Sequence, residues 1–158
     1  MFGEALIELC MDAITIANMA IERIFFREDN FVFTVIYGRL TNAEIGEHVI
    51  QMNREYAACS ALVELADCRY LHDISALSSD GLMISAGMEK GQLRTAGSKG
   101  AIVVANDVVF GLARVYAAIA AQSRIDSRVY RDLDEAVDWL GMGHLKQAIH
   151  TEAEARNV

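Results

Sequence analysis

The densest gathering of reactive side chains in this 158-residue chain is "DCRYLHDISALSSDG", residues 67 to 81. Asp67, Cys68, His72 and Asp73 are residue types that ligate transition metals through carboxylate, thiolate and imidazole. They fall in one segment, read here as a loop after a short strand, and no second ligand pair stands elsewhere at a recognisable metal spacing. No metal is therefore assigned. The plainer reading is that Arg69 pairs with a neighbouring carboxylate and that Cys68 is partly buried.

Other candidates are sparser. His144 and His150 are six residues apart, which puts them on different faces of a helix. No P-loop, dinucleotide-binding or nucleophile-elbow glycine pattern occurs, and "GSKG" at 97 to 100 reads as a turn before a strand. No catalytic residue and no cofactor is assigned. Arg114 is the lone charge inside "VVFGLARVYAAIAA". It either snorkels to the helix edge or pairs with a carboxylate; the functional alternative is contact with an anion at a pocket mouth.

These residues need a frame. Residues 3 to 19 carry Leu6, Leu9, Cys10, Ala13, Ile14 and Ala17 at helical spacing. "AIERIFF" and "FVFTVIYG", separated by the turn signal "REDN", read as an antiparallel hairpin that Gly38 closes. Thr41 and Glu44 form a capping box for a helix with Ile45, Val49, Met52 and Tyr56 on one face. "ALVELA" has strand length, and Leu77, Ile84, Met88 and Leu93 mark a helix over about 77 to 95. Ser75, Ser78, Ser79 and Asp80 are its natural capping and first-turn residues. "GAIVVAN" reads as a central strand and Asp107 as the cap of a helix over 108 to 122. That helix is apolar nearly all round, which predicts burial on most sides, under either the N-terminal helix or a second subunit. "SRVY" is a last strand, Asp132 and Glu135 form a second capping box, and "HLKQAIHTEAEA" closes the chain as a helix. The expected fold is α/β: a mixed sheet of about five strands, an N-terminal hairpin followed by alternating strands and helices joined by right-handed crossovers. Residues 1 to 20 form an N-terminal helical extension and 21 to 158 the domain.

Residues 21 to 140 resemble the STAS superfamily, and more closely its SpoIIAA-like branch, which is grouped with Sec14-type folds. "FVFTVIYGRLTNAEI" looks like the family's second strand, glycine turn and first helix start; "ALVELADCR" looks like the next strand; "GAIVVANDVVFGLARVYAA" and "RVYRDLDEAVDWLG" look like the later strand–helix pairs. Switching antagonists of this family carry a phosphorylated serine after an aspartate at a helix start. Here the order is Ser78-Ser79-Asp80-Gly81-Leu82, with the aspartate after the serines. The resemblance thus implies Ser78 or Ser79 as a phosphorylation site, in a version the sequence departs from. The Sec14 relatives open a lipid space between helices and sheet, which by resemblance Met83, Met88, Leu93 and Phe110 could line, with Arg69 and Arg114 as further contacts. Methionine and aromatic side chains at helical spacing are also plain core.

A net charge of −8 argues against nucleic acid and anionic membrane surfaces. Cys10, Cys59 and Cys68 form an odd set without CxxC spacing and read as free thiols in the cytoplasm. The opening "MFGEALIELCMDAITIANMA" lacks a basic region and is read as no signal peptide; either Met1 or Met19 could be the start. No uncharged apolar run approaches the ~20 residues of a membrane span. Hydrophobic residues make up 53% and mean hydropathy is +0.22, so a homo-oligomer, a dimer first, is expected. The function expected is a non-enzymatic binding or regulatory module for a protein partner or a small apolar ligand. The alternatives are a phospho-regulated antagonist-like switch and an enzyme acting on a small hydrophobic substrate.

Overall fold

The structure is a computed structural model that describes residues 20–57, 59, 61–90, 98–123 and 126–156. The expected helix at 3 to 19, Cys10 and Leu93 lie outside the described residues.

β1 (Ile21–Phe26) and β2 (Phe31–Arg39) form the expected antiparallel hairpin, with Ile21 opposite Ile36 and Phe26 opposite Phe31. Asn30 closes the turn at φ 51°, a left-handed conformation that asparagine tolerates. α1 (Asn42–Glu55) opens on the capping box: the Glu44 amide donates to Thr41 Oγ1 at 3.2 Å, and the Thr41 amide donates to Glu44 Oε2 at 2.8 Å. β3 (Val63–Asp73), α2 (Ser79–Lys90), β4 (Lys99–Val103), α3 (Asp107–Ala120), β5 (Asp126–Tyr130), α4 (Leu133–Trp139) and α5 (Lys146–Glu154) follow.

Three local expectations change. "DCRYLHD" is not a loop; it is the second half of β3, which runs eleven residues. The strand continues past "ALVELA", but its alternation is interrupted by register shifts against β2, so that Leu65 faces one side and both Cys68 and Leu71 the other. The helix placed at 77 starts at Ser79, because Ser78 caps it by accepting from the Gly81 amide at 3.0 Å. α3 is capped by Asn106, whose Oδ1 accepts from the Val109 amide at 2.9 Å, and Asp107 is already its first residue.

The sheet order is β1-β2-β3-β4-β5, antiparallel between β1 and β2 and parallel thereafter. Each parallel step moves one strand in the same direction. Right-handed crossovers then put α1, α2 and α3 on the same face. The other face is left to the chain after β5, and α4 and α5 cover it. Phe31, Phe33, Val35, Val63, Leu65 and Val103 pack there against Leu133, Val137, Leu140 and Ile149. On the first face Ile36, Cys68, Leu71 and Val104 meet Ile45, Leu82, Val109 and Ala113.

Within a single protomer α3 is covered on one side: Val109, Ala113, Ala117 and Ala120 are buried, while Val108 and Val115 are 64% and 41% exposed. The cover expected for its other side, residues 3 to 19 or a second subunit, lies outside the described residues. Apolar residues thus stand on both sides of the helix, with Val109, Ala113 and Ala117 inward and Val108 and Val115 outward.

Candidate functional site: a cavity between sheet and helices

Small residues facing each other leave space. On the floor, Gly100 lies opposite Glu64 and Ser127, and Ala66 opposite Ile102. Gly100 and Ala66 add almost no volume above the sheet, and Ala113 adds as little from α3. The result is a cavity of about 130 Å³ between the sheet and α1–α3. Ile36, Cys68, Leu71 and Ile102 line it from the strands and Leu40 from the turn after β2; Ile45, Leu82, Val109, Leu112 and Tyr116 line it from the helices. An apolar space of this size matches a benzene-sized molecule.

One end is polar. It lies where β3, β4 and β5 begin and is made by His48, Glu64, Ser98 and Ser127. Glu64 Oε1 accepts from Thr34 Oγ1 at 3.0 Å and lies 3.0 Å from His48 Nε2. The other ring nitrogen, Nδ1, lies 3.1 Å from Arg23 Nη1. A guanidinium can only donate, so Nδ1 accepts and Nε2 carries the proton that it donates to Glu64. Arg23 is fixed in turn by Gln51 Oε1 at 2.6 Å and by Glu55 at 3.5 Å. Thr34 is fully buried. Behind His48 a second hollow of about 140 Å³ is walled by Ala20, Arg23, Glu44, Glu47 and Gln51.

Ser98 differs from its neighbours. It is 2% exposed, lines the cavity, and its hydroxyl has no hydrogen-bond partner among the described residues. A buried hydroxyl left so costs on the order of 1–3 kcal/mol. Lys99, next in sequence, also borders the cavity, but its ammonium is turned away from it. Its ammonium lies 5.0 Å from the Trp139 ring centroid, under α4 on the opposite face of the sheet.

The residues singled out from sequence are scattered. Arg69 reaches buried Asp67, with Nε donating to Oδ1 at 2.9 Å and Nη2 to Oδ2 at 2.8 Å. That hydrogen bonding raises the Arg69 pKa. Removing one partner from a buried pair of this kind costs about 3–5 kcal/mol. Phe110 is gripped by Arg131, whose guanidinium carbon is 4.3 Å from the ring centroid, with exposed Arg114 at 6.0 Å. Met83 is half exposed, and the Met88 methyl lies beside Gly46 of α1. None of Met83, Met88 and Phe110 is among the residues lining the cavity; their neighbours Leu82, Val109 and Leu112 are.

Ser78 and Ser79 are both exposed at the start of α2. Ser78 is clasped to α1: its amide donates to Asn42 Oδ1 at 3.1 Å, and Asn42 Nδ2 donates back to Ser78 Oγ at 3.0 Å. Gly81 permits this approach, since a Cβ there would lie 2.2 Å from Asn42 Cγ. Ser75 instead donates to Asp73 from its amide at 2.9 Å and its hydroxyl at 2.6 Å. Among the described residues no three His, Cys, Asp or Glu side chains converge as metal ligands. His144 and His150 each meet an aspartate, Asp29 at 2.6 Å and Asp134 at 2.7 Å. Burial pushes the Cys68 thiol up to about 12.

Sequence reasoning missed His48, Thr34, Glu64 and Ser98. A signal for two of them was present: Thr34 and Glu64 are polar residues in the interior of runs that otherwise read as strand core, "FVFTVIYG" and "ALVELA".

No family model matches the chain, and no curated protein matches it. Among solved structures it is similar to the crystal structure of an uncharacterized protein from the DUF3478 family with a SpoIIAA-like fold, from Shewanella loihica PV-4. The two are 19% identical; the match covers 77% of this chain and 92% of that one, with a TM-score of 0.49. The strand order and pairing above belong to this chain and rest on its own hydrogen bonds.

Proposed function

We propose that the protein is a non-enzymatic binding module that holds a small, largely apolar molecule between its sheet and α1–α3. The cavity of about 130 Å³, walled by aliphatic side chains and Tyr116, is the observation that supports this reading. An enzyme would need a polar group free to take or give a proton. His48 is engaged at both ring nitrogens, which favours a structural role for it in the cavity wall. The acidic charge and free thiols fit a cytoplasmic protein. No helix among the described residues is long and apolar enough to cross a membrane.

Methyl-resolved NMR with toluene as the probe tests the reading. Saturable shifts are expected at Ile36, Ile45, Leu82, Ile102 and Leu112, while Leu133 and Ile149 on the opposite face stay still. Unmoved cavity methyls at the solubility limit of toluene would contradict it.

A second reading has its own support. Met83, Ile84, Val108 and Val115 are large apolar residues exposed on α2 and α3. These helices pack against each other, and their outer faces suit a second copy of the chain, giving a dimer that leaves the cavity inside each protomer.

A further inference from the structure

The ligand can be specified further from the polar end of the cavity, an inference that rests on the binding reading above. We propose that the molecule bound is an uncharged alcohol or phenol whose hydroxyl sits between Ser98 and Glu64.

Ser98 precedes β4 in register with Leu62, because the Lys99 amide donates to the Leu62 carbonyl at 3.1 Å. Leu62 packs with Met52 of α1, so Ser98 shares the cavity face. Glu64 pairs with Gly100, two residues on. Ser98 and Glu64 are therefore diagonal neighbours on one face of adjacent strands. Neighbours so placed on one face of a sheet stand on the order of 7–8 Å apart at the backbone. Gly100 has no side chain to fill the gap. A single ligand oxygen there can donate to the Glu64 carboxylate and accept from the Ser98 hydroxyl. This relieves the unpartnered buried hydroxyl.

The same groups reject an anion. Glu64 carries the negative charge at this end, and Lys99 points its ammonium at Trp139 across the sheet. Arg23 stands behind the His48 ring, with its guanidinium turned to His48, Gln51 and Glu55. A carboxylate in this place would face the Glu64 carboxylate, and among the described residues Arg23 and Lys99 turn their charges elsewhere. Fatty acids and aryl acids are thus disfavoured, which separates this proposal from a general lipid site.

Toluene, phenol and benzoate test it by calorimetric titration of the full chain. Toluene and phenol have the same shape, and an apolar cavity without a partner for the hydroxyl prefers toluene strongly. Here phenol is expected to bind at least as tightly as toluene, and benzoate about a hundredfold more weakly than phenol or worse. In Ser98→Ala, phenol should weaken about tenfold while toluene changes less than twofold. Ser98→Ala removes a hydroxyl without a partner, so it should fold at least as stably as the parent, which thermal unfolding checks. Toluene binding tightly with phenol no better than in Ser98→Ala would overturn the hydroxyl assignment and leave the cavity reading intact. Tight benzoate binding would do the same. If neither toluene nor phenol binds, both readings fall.

Discussion

At the scale of single residues, Cys68 shows how the cavity wall trades charge for apolar contact. Its side chain lies in the core with Ile36, Leu71 and Val104, and its thiol is pushed from an ordinary value of 9.0 up to about 12 by burial, with Asp67 and Glu64 adding to the shift. The folded chain thus keeps a proton that the unfolded chain releases above about pH 9. Bound protons then favour the folded state less as pH rises, and stability falls between about pH 9 and 12 by at most ~1.4 kcal/mol per unit. Below that window the contribution is constant. Urea unfolding from pH 8 to 10.5 should show a steeper loss for the parent than for Cys68→Ala, whatever the starting stability of the variant. Parallel slopes would contradict the assignment. Asp67, one residue earlier and on the other side of the sheet, has the opposite solution to burial. It stays with a bidentate guanidinium partner, Arg69, as the sequence reading of Arg69 paired with a neighbouring carboxylate expects.

Secondary elements show what the sequence carries and what it hides. The hairpin, the Thr41–Glu44 box, the Asp132 cap and the β5 run were legible because each rests on local chemistry: turn residues, a hydroxyl facing an orphan amide, β-branched runs. Which face of a helix points inward was not legible for α3. Periodicity fixes a phase only when polar residues mark the outside, and α3 has almost none. The structure brings Val109 and Leu112 of α3 and Leu82 of α2 to the cavity, beside the sequence-named Phe110 and Met83. The Thr34–Glu64–His48 chain was hidden for a different reason. It joins β2, β3 and α1, and only the register of the sheet brings these together. The outward faces of α2 and α3 carry the dimer reading. Sedimentation velocity should give a dimer for the parent and a monomer for Ile84→Glu with Val108→Glu. A parent that sediments as a monomer would contradict this reading.

For the whole molecule, topology decides where space is left. Three crossovers in one direction load α1, α2 and α3 onto one face and leave α4 and α5 to close the other. The closed face is filled by Phe31, Phe33 and Leu65 against Leu140 and Ile149. The loaded face sets Ala66 and Gly100 beneath Ala113 and stays open inside. Diffraction from a crystal under xenon pressure tests this asymmetry most directly, since xenon enters apolar cavities that are empty. A xenon peak is expected in contact with Ala66, Leu82 and Leu112, and none between the sheet and α4. Xenon absent from the α3 side, with Leu112 and Tyr116 packed down onto Ala66 and Gly100, would contradict it.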